Sequence, residues 1–245
     1  MRTVARLTTP LPTRFCMVSF KQLRQMMQVQ GSGVLVSREY PVSSFTRLHL
    51  SAHGLVELVH GSEEKVVVEC DDNLLEHLQV ANSGRTLYVT SENKLRAPAF
   101  TDLRVTVYLR QLDQLHCAAR GGEVSTRNTL VGAVPLALKV MSSGTTRLSV
   151  DVPKLTVNLA CQGDVTLAGT AEEVQIQTAA EGNLDCRELR AQHLRLRNAS
   201  AGNIDLYAEQ TISLTHLGAG YIHYRGPARL ADVRQYGAGD IRHVE

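Results

Sequence analysis

The sequence predicts an all-β parallel solenoid built from coils of about 20 residues. Three observations carry this. Seven glycines (Gly122, Gly144, Gly163, Gly182, Gly202, Gly220 and Gly239) recur at spacings of 22, 19, 19, 20, 18 and 19 residues. Apolar and polar residues alternate around these glycines, which is the period of a half-buried strand. Small residues often precede the glycine and Asn or Asp often follows it, as in "SAGNIDL" around Gly202.

The first thirty residues stand apart. Arg2, Arg6, Arg14, Lys21 and Arg24 are basic, and the first acid is Glu39. The apolar stretch around Phe15 to Phe20 is shorter than a secretory apolar region. Residues 1–30 are therefore expected to be a disordered or wrongly assigned start, with one short amphipathic helix at 20–29. The folded unit is expected over 31–245, with no Pro/Gly/Ser linker dividing it. Within it, "GVLVS", "RLHLSAHGLVELVHG", "KVVVEC", "TLYVTS" and "LRVTVYL" read as strands of a less regular part. "DDNLLEHL", residues 71–78, has an Asp cap and helical spacing, which predicts one helical turn.

The repeats then follow one template. Two residues after the glycine stand Val124, Thr146, Val165, Leu184, Ile204, Ile222 and Ile241. Six before it stand His116, Leu138, Val157, Ile176, Leu196, Leu214 and Val233, and eight before it Leu136, Leu155, Val174, Leu194 and Ile212. These are the expected inward positions. Thr156, Asn158, Gln175, Gln177, Arg195 and Arg197 fall on the alternate, outward ones. Each repeat reads as strand, glycine bend, strand, turn. Glycine serves such a bend by a positive φ or by letting one coil approach the next closely. Gly144, followed by Thr145-Thr146-Arg147, is a degenerate member. "LRLRN" also fits a leucine-rich repeat, but the other repeats lack the leucine ladder.

Composition narrows the function. The chain has 245 residues, 43% of them hydrophobic, which is enough for a sizeable core. Aromatics are 4% and Trp is absent, which disfavours base-stacking platforms. A formal charge of +2 gives no field that would gather nucleic acid or a membrane. Five cysteines without a CxxC pair read as buried or free thiols, not as a disulfide framework or a zinc site. No apolar run approaches the roughly 18 residues of a transmembrane segment. Hydrolase, dinucleotide and P-loop signatures are missing. The histidines, such as His53, His60, His216, His223 and His243, hold unrelated offsets. No metal or cofactor is expected.

The stretches "GSGVLVSREYPVSSFTRLHLSAHGLVELVHG" and "VECDDNLLEHL", followed by serial "SAGNI", "GAGYI" and "GAGDI", resemble the auto-transporter adhesin head GIN domain family. The likeness spans roughly residues 32–245. Gly182-Asn183-Leu184 and Gly202-Asn203-Ile204 carry it best. It implies a right-handed parallel β-helix and a bacterial envelope or extracellular setting. It implies no established activity and supplies no catalytic residues. Residues 1–30 show no signal peptide, which leaves a cytoplasmic location open.

Two outer columns, one and three residues after the glycine, contain Glu123, Asp164, Asn183, Asp185, Asn203, Asp205, His223 and Asp240. Stacked carboxylates such as Asp185 and Asp205 suit a hard cation or sugar hydroxyls, although the columns are interrupted. A column five before the glycine reads Cys117, Lys139, Asn158, Gln177, Arg197, Thr215 and Arg234, with Arg195 beside it. Its charge suits an acidic polysaccharide. Asp164, Asp185, Asp205, Arg195 and Arg197 are therefore the candidate ligand contacts, against the plainer reading of a solvated face. The expected function is a non-catalytic envelope or surface module that binds or scaffolds. Its partners would be a glycan or an envelope protein, and stacking of coil ends could form oligomers. The alternative is a β-helix polysaccharide lyase or hydrolase, which needs clustered carboxylates in a cleft.

Overall fold

The structure, a computed structural model, describes residues 31–91, 103–118 and 121–244. The expectations for residues 1–30, including the helix at 20–29, lie outside the described residues. The less regular part holds β1 (Leu35–Pro41), β2 (Arg47–Ser51), β3 (Leu55–His60), β4 (Lys65–Asp71), β5 (Leu78–Ser83), β6 (Thr86–Ser91), β7 (Arg104–Leu109) and β8 (Gln114–Cys117). The coils continue with β9 (Glu123–Thr126), β10 (Leu130–Val131), β11 (Leu136–Val140), β12 (Thr145–Leu159) and β13 (Val165–Thr178). β14 (Leu184–Asn198), β15 (Ile204–His216), β16 (Ile222–Arg225), β17 (Arg229–Gln235) and β18 (Ile241–His243) complete them.

The strands stack into two parallel sheets around one core. The post-bend sheet, made of segments that follow a bend glycine together with β7, runs β7-β3-β9-β12-β13-β14-β15-β16-β18. The pre-bend sheet runs β6-β2-β8-β11-β12-β13-β14-β15-β17. β12 to β15 belong to both, because each turns a corner in mid-strand without breaking. At one such corner Gly169, with φ +107°, lies against the Val150 carbonyl, where a side chain would collide. The alternation predicts the interior well. Val165, Leu184, Ile204 and Ile222 from one sheet and Val157, Ile176, Leu196 and Leu214 from the other are all buried. The pleat sends their polar neighbours outward.

The bend glycines stack on one another. Of the seven, only Gly122 has a positive φ. At the others the reason is close approach. A Cβ on Gly144, Gly163, Gly182, Gly202, Gly220 or Gly239 would fall 1.9–2.2 Å from the carbonyl oxygen of the glycine one coil before. The column has an eighth member. A Cβ on Gly122 would meet the Gly54 carbonyl at 2.1 Å. "HGLVEL" around Gly54 carries the signal, an aliphatic two residues after glycine.

Two template positions need correction. Leu138 pairs with Leu115, so Leu115 and Cys117 face inward and His116 lies on the outer face next to Lys139. The turn entering Gly122 is one residue longer than the turn entering Gly144, and a one-residue slip moves every side chain to the other face. Val233 is 43% exposed rather than buried, because no described strand lies over β17.

The less regular part departs from coil order. The β2–β3 coil sits between the β6–β7 coil and the β8–β9 coil. β4 adds to β7 antiparallel, β1 adds to β4 antiparallel, and β5 pairs antiparallel with β6. The predicted helical turn is a 3-10 helix, Asp72–His77, that buries Leu74 and Leu75. Asp71 does not cap it through its side chain. Its Oδ1 instead accepts the Gly33 N–H at 2.8 Å, which ties down the chain just before β1.

Candidate functional site

Both sheets turn one side-chain column after another to solvent, and the two outer faces differ in what their charges do. On the post-bend face Ser125, Arg147, Thr166, Asp185, Asp205, His223 and Arg242 stand in register, one per coil. Asp185 and Asp205 are neighbours, as the repeat alignment expects. Each has a local cation. Arg187 grips both Asp185 oxygens, its Nε 2.9 Å from Oδ1. That hydrogen bonding holds the Asp185 carboxyl below the usual carboxylate range. Arg225 donates to Asp205 at 2.8 Å, and His223 lies 3.7 Å away. Further along, Arg127 pairs with Glu57, Arg147 with Glu123 and Arg242 with Asp240.

The Asx column at the bend is engaged as well. The Oδ1 of Asp164 accepts the backbone N–H of Asn183 at 3.0 Å, that of Asn183 the N–H of Asn203 at 3.0 Å, and that of Asn203 the N–H of Tyr221 at 3.1 Å. Each side chain reaches one coil forward and satisfies a donor that the bend leaves without a ladder partner. Asp164 thus joins coils. Among the described residues no group of three His, Cys, Asp or Glu side chains is placed to hold a metal ion.

The pre-bend face is grooved. A cavity of about 450 Å³ is lined by Arg47, His49, Tyr88, Gln114, His116 and Lys139, with Asn158 at its end. Lys139 and Asn158 pass into a second groove of about 430 Å³, floored by Ala160, Ala179 and Ala199 and bounded by Met141, Gln177, Arg197 and Leu217. Arg197 and Leu217 pass into a third, of about 510 Å³, with Arg195, Thr215, Arg234 and Tyr236. No carboxylate lines the first two. Among the described residues of this face, Glu173 is already paired with Lys154 at 2.8 Å and Asp232 with Arg234 at 3.1 Å. Arg47, Lys139, Arg195 and Arg197 form no ion pair with any described carboxylate.

His49 and His116 sit one coil apart with ring centroids 4.4 Å apart, edge to face, and Tyr88 flanks His49 at 5.4 Å. Burial, then the positive neighbours His49 and Lys139, push the His116 pKa down. The repeat pattern marks Arg195 and Arg197 but not this cluster. The template offset before Gly122, one residue short there, points His116 inward, whereas it faces out beside Lys139. The thiols of Cys70, Cys117, Cys161 and Cys186 are buried and no disulfide joins them, with Cys161 at a bend and Cys186 within β14. Burial raises the pKa of Cys161 and Cys186, which makes them poor nucleophiles.

A family model described as "Putative auto-transporter adhesin, head GIN domain" matches residues 44–228. A putative adhesin from Bacteroides fragilis NCTC 9343 shares the fold with a TM-score of 0.80 and 23% identity, over 88% of this chain and 100% of that one. A putative adhesin from Parabacteroides distasonis ATCC 8503 gives 0.69 and 18%, over 89% of this chain and 100% of that one. A putative lipid binding protein from the same organism gives 0.68 and 19%, over 89% of this chain and 100% of that one. No curated protein sequence matches the chain.

Proposed function

The chain belongs to the auto-transporter adhesin head GIN domain family, and from that premise we propose that it is a non-catalytic, surface-exposed module that binds an extended partner along its pre-bend face. The family supports an adhesin-like role at the cell surface or envelope. The observation that carries the binding face is the run of three adjoining grooves beside Arg47, Lys139, Arg195 and Arg197, none paired with a described carboxylate. Uncompensated cations over an open groove are the part of this surface with unmet electrostatic demand. Arg195 and Arg197 are the favoured contacts of the five candidates. Asp164, Asp185 and Asp205 already hold neighbouring groups.

The lyase or hydrolase alternative needs free carboxylates converging on one cleft. Asp185 and Asp205 sit on the other face, each in an ion pair. The distinguishing experiment is a glycan array followed by product analysis of every bound glycan, with and without Ca²⁺. Capture without cleavage is the expected result. Shortened products would replace the binding reading with the enzymatic one, and an array without any capture would sink the glycan partner.

A further inference from the structure

Resting on the binding face proposed above, we infer that its ligand is an acidic polysaccharide chain laid along the solenoid axis, held at both ends by cations and in the middle by amides and a small-residue floor. The face spans seven strand steps from β2 to β17, or about 34 Å at roughly 4.8 Å per step. The cations fall into two groups. Arg47 and Lys139, with His49 and His116 between them, hold one end. Arg195 and Arg197 hold the other, two residues apart on β14 and so about 7 Å from each other. Between them the column carries Asn158 and Gln177. A carboxamide both donates and accepts, which suits hydroxyl groups. The exposed Ala160, Ala179 and Ala199 leave room for a ring to lie flat against the sheet.

The same observations weigh against other polyanions. Single-stranded nucleic acid needs stacking platforms at successive steps. On this face Tyr88 and Tyr236 stand near opposite ends, and the rows from β2 to β15 present no Phe, Tyr or Trp between them. An acidic peptide recognised as an added strand needs a free sheet edge. These grooves run across the sheet's face, where the backbone is already paired on both sides.

The test uses the full chain with four immobilised probes: alginate (a polyuronate), dextran sulfate, neutral dextran and a DNA oligonucleotide. Binding is compared with the triple variant K139E/R195E/R197E. The control is R127E/R147E/R242E, which changes net charge equally on the post-bend face. Thermal melts confirm that both variants fold. Expected is capture of alginate or dextran sulfate but not dextran, weakening linearly with log salt. The pre-bend variant should lose at least about tenfold and the control should change little, as a localised charge contact requires. Equal losses in both variants would reduce the effect to net charge and overturn the inference. Dextran bound as well as alginate would overturn the acidic class while keeping the face as a glycan site. Tighter binding of DNA than of alginate would overturn it in favour of nucleic acid. Failure of all four probes would overturn the inference, and the glycan array then decides the broader reading separately.

Discussion

On the post-bend face Asp205 lies 2.8 Å from Arg225, a residue of the next coil. On the pre-bend face Arg197, one coil before, pairs with no described carboxylate, and its register neighbours are Gln177 and Thr215. The two residues are eight positions apart in the same chain. Both faces are charged, and the sequence columns look equally plausible as ligand sites. What separates them is whether a neighbouring side chain of opposite charge reaches them, from the next coil as Arg225 does for Asp205 or from the same strand as Arg187 does for Asp185. A column whose charges find opposite charges one coil away ties the stack together. A column whose cations meet amides and hydroxyls leaves its charge for a partner. In a solenoid the coil above is therefore the first competitor for any outer-face ligand.

Both faces rest on one interior. Ile204 faces inward from the post-bend sheet and Leu196 from the pre-bend sheet, each at most 1% exposed. Ile204→Asp and Leu196→Asp should each destabilise by on the order of 4–5 kcal/mol in urea titrations, because each buries an unpaired carboxylate. Strongly unequal losses would mean that the faces do not share a core. Gly202→Ala should come next, at about 2–3 kcal/mol, since its Cβ would stand 2.0 Å from the Gly182 carbonyl and backbone on both sides cannot yield. Gly61→Ala, with open space around its Cβ, is the matched control and should be near neutral.

Smaller effects distinguish the faces themselves. Thr146 is fully buried in a column between Val124 and Val165, and its hydroxyl has no partner. Thr146→Val should stabilise by about 1 kcal/mol, which a rise in melting temperature would register. The pre-bend strands also supply the pH dependence. His216 is fully buried, its Nδ1 3.1 Å from the Asn198 amide and its Nε2 unpartnered. Burial lowers its pKa, as it does for His116. The unfolded chain then binds the proton more readily than the folded one. Stability should hold above about pH 6.5 and fall as pH drops below that value. Melts of His216→Gln between pH 5 and 8 should show a flatter profile, and an unchanged one would remove His216 as the source.

The smallest effects are on the outer side chains. Asp205→Ala should cost about 0.5–1 kcal/mol and less at high salt, because a partly exposed pair is screened. Arg197→Ala should stay within about 0.5 kcal/mol of the parent, since it gives up no pair. A cost for Arg197 that matched that of Asp205 would break the distinction between the faces. A loss for Asp205 as large as that for Ile204 would break the strand phase.

The sequence by itself determined the coil, its period, its bends and the inward set from Val157 to Ile222. Those follow from two local facts repeated at every level: alternate residues of a strand face opposite ways, and only glycine fits where one coil's bend touches the next. It also placed Arg195 and Arg197 outward. Tertiary structure alone decided the rest. One extra residue before Gly122 exchanged His116 and Cys117 between face and core, and so hid the histidine cluster. The layering of β2–β3 between later strands, and the antiparallel additions of β1, β4 and β5, depend on contacts between segments that share no repeat. That Asp205 is engaged and Arg197 is not depends on which side chains of the adjoining coils reach them, a distance that register sets and periodicity does not contain.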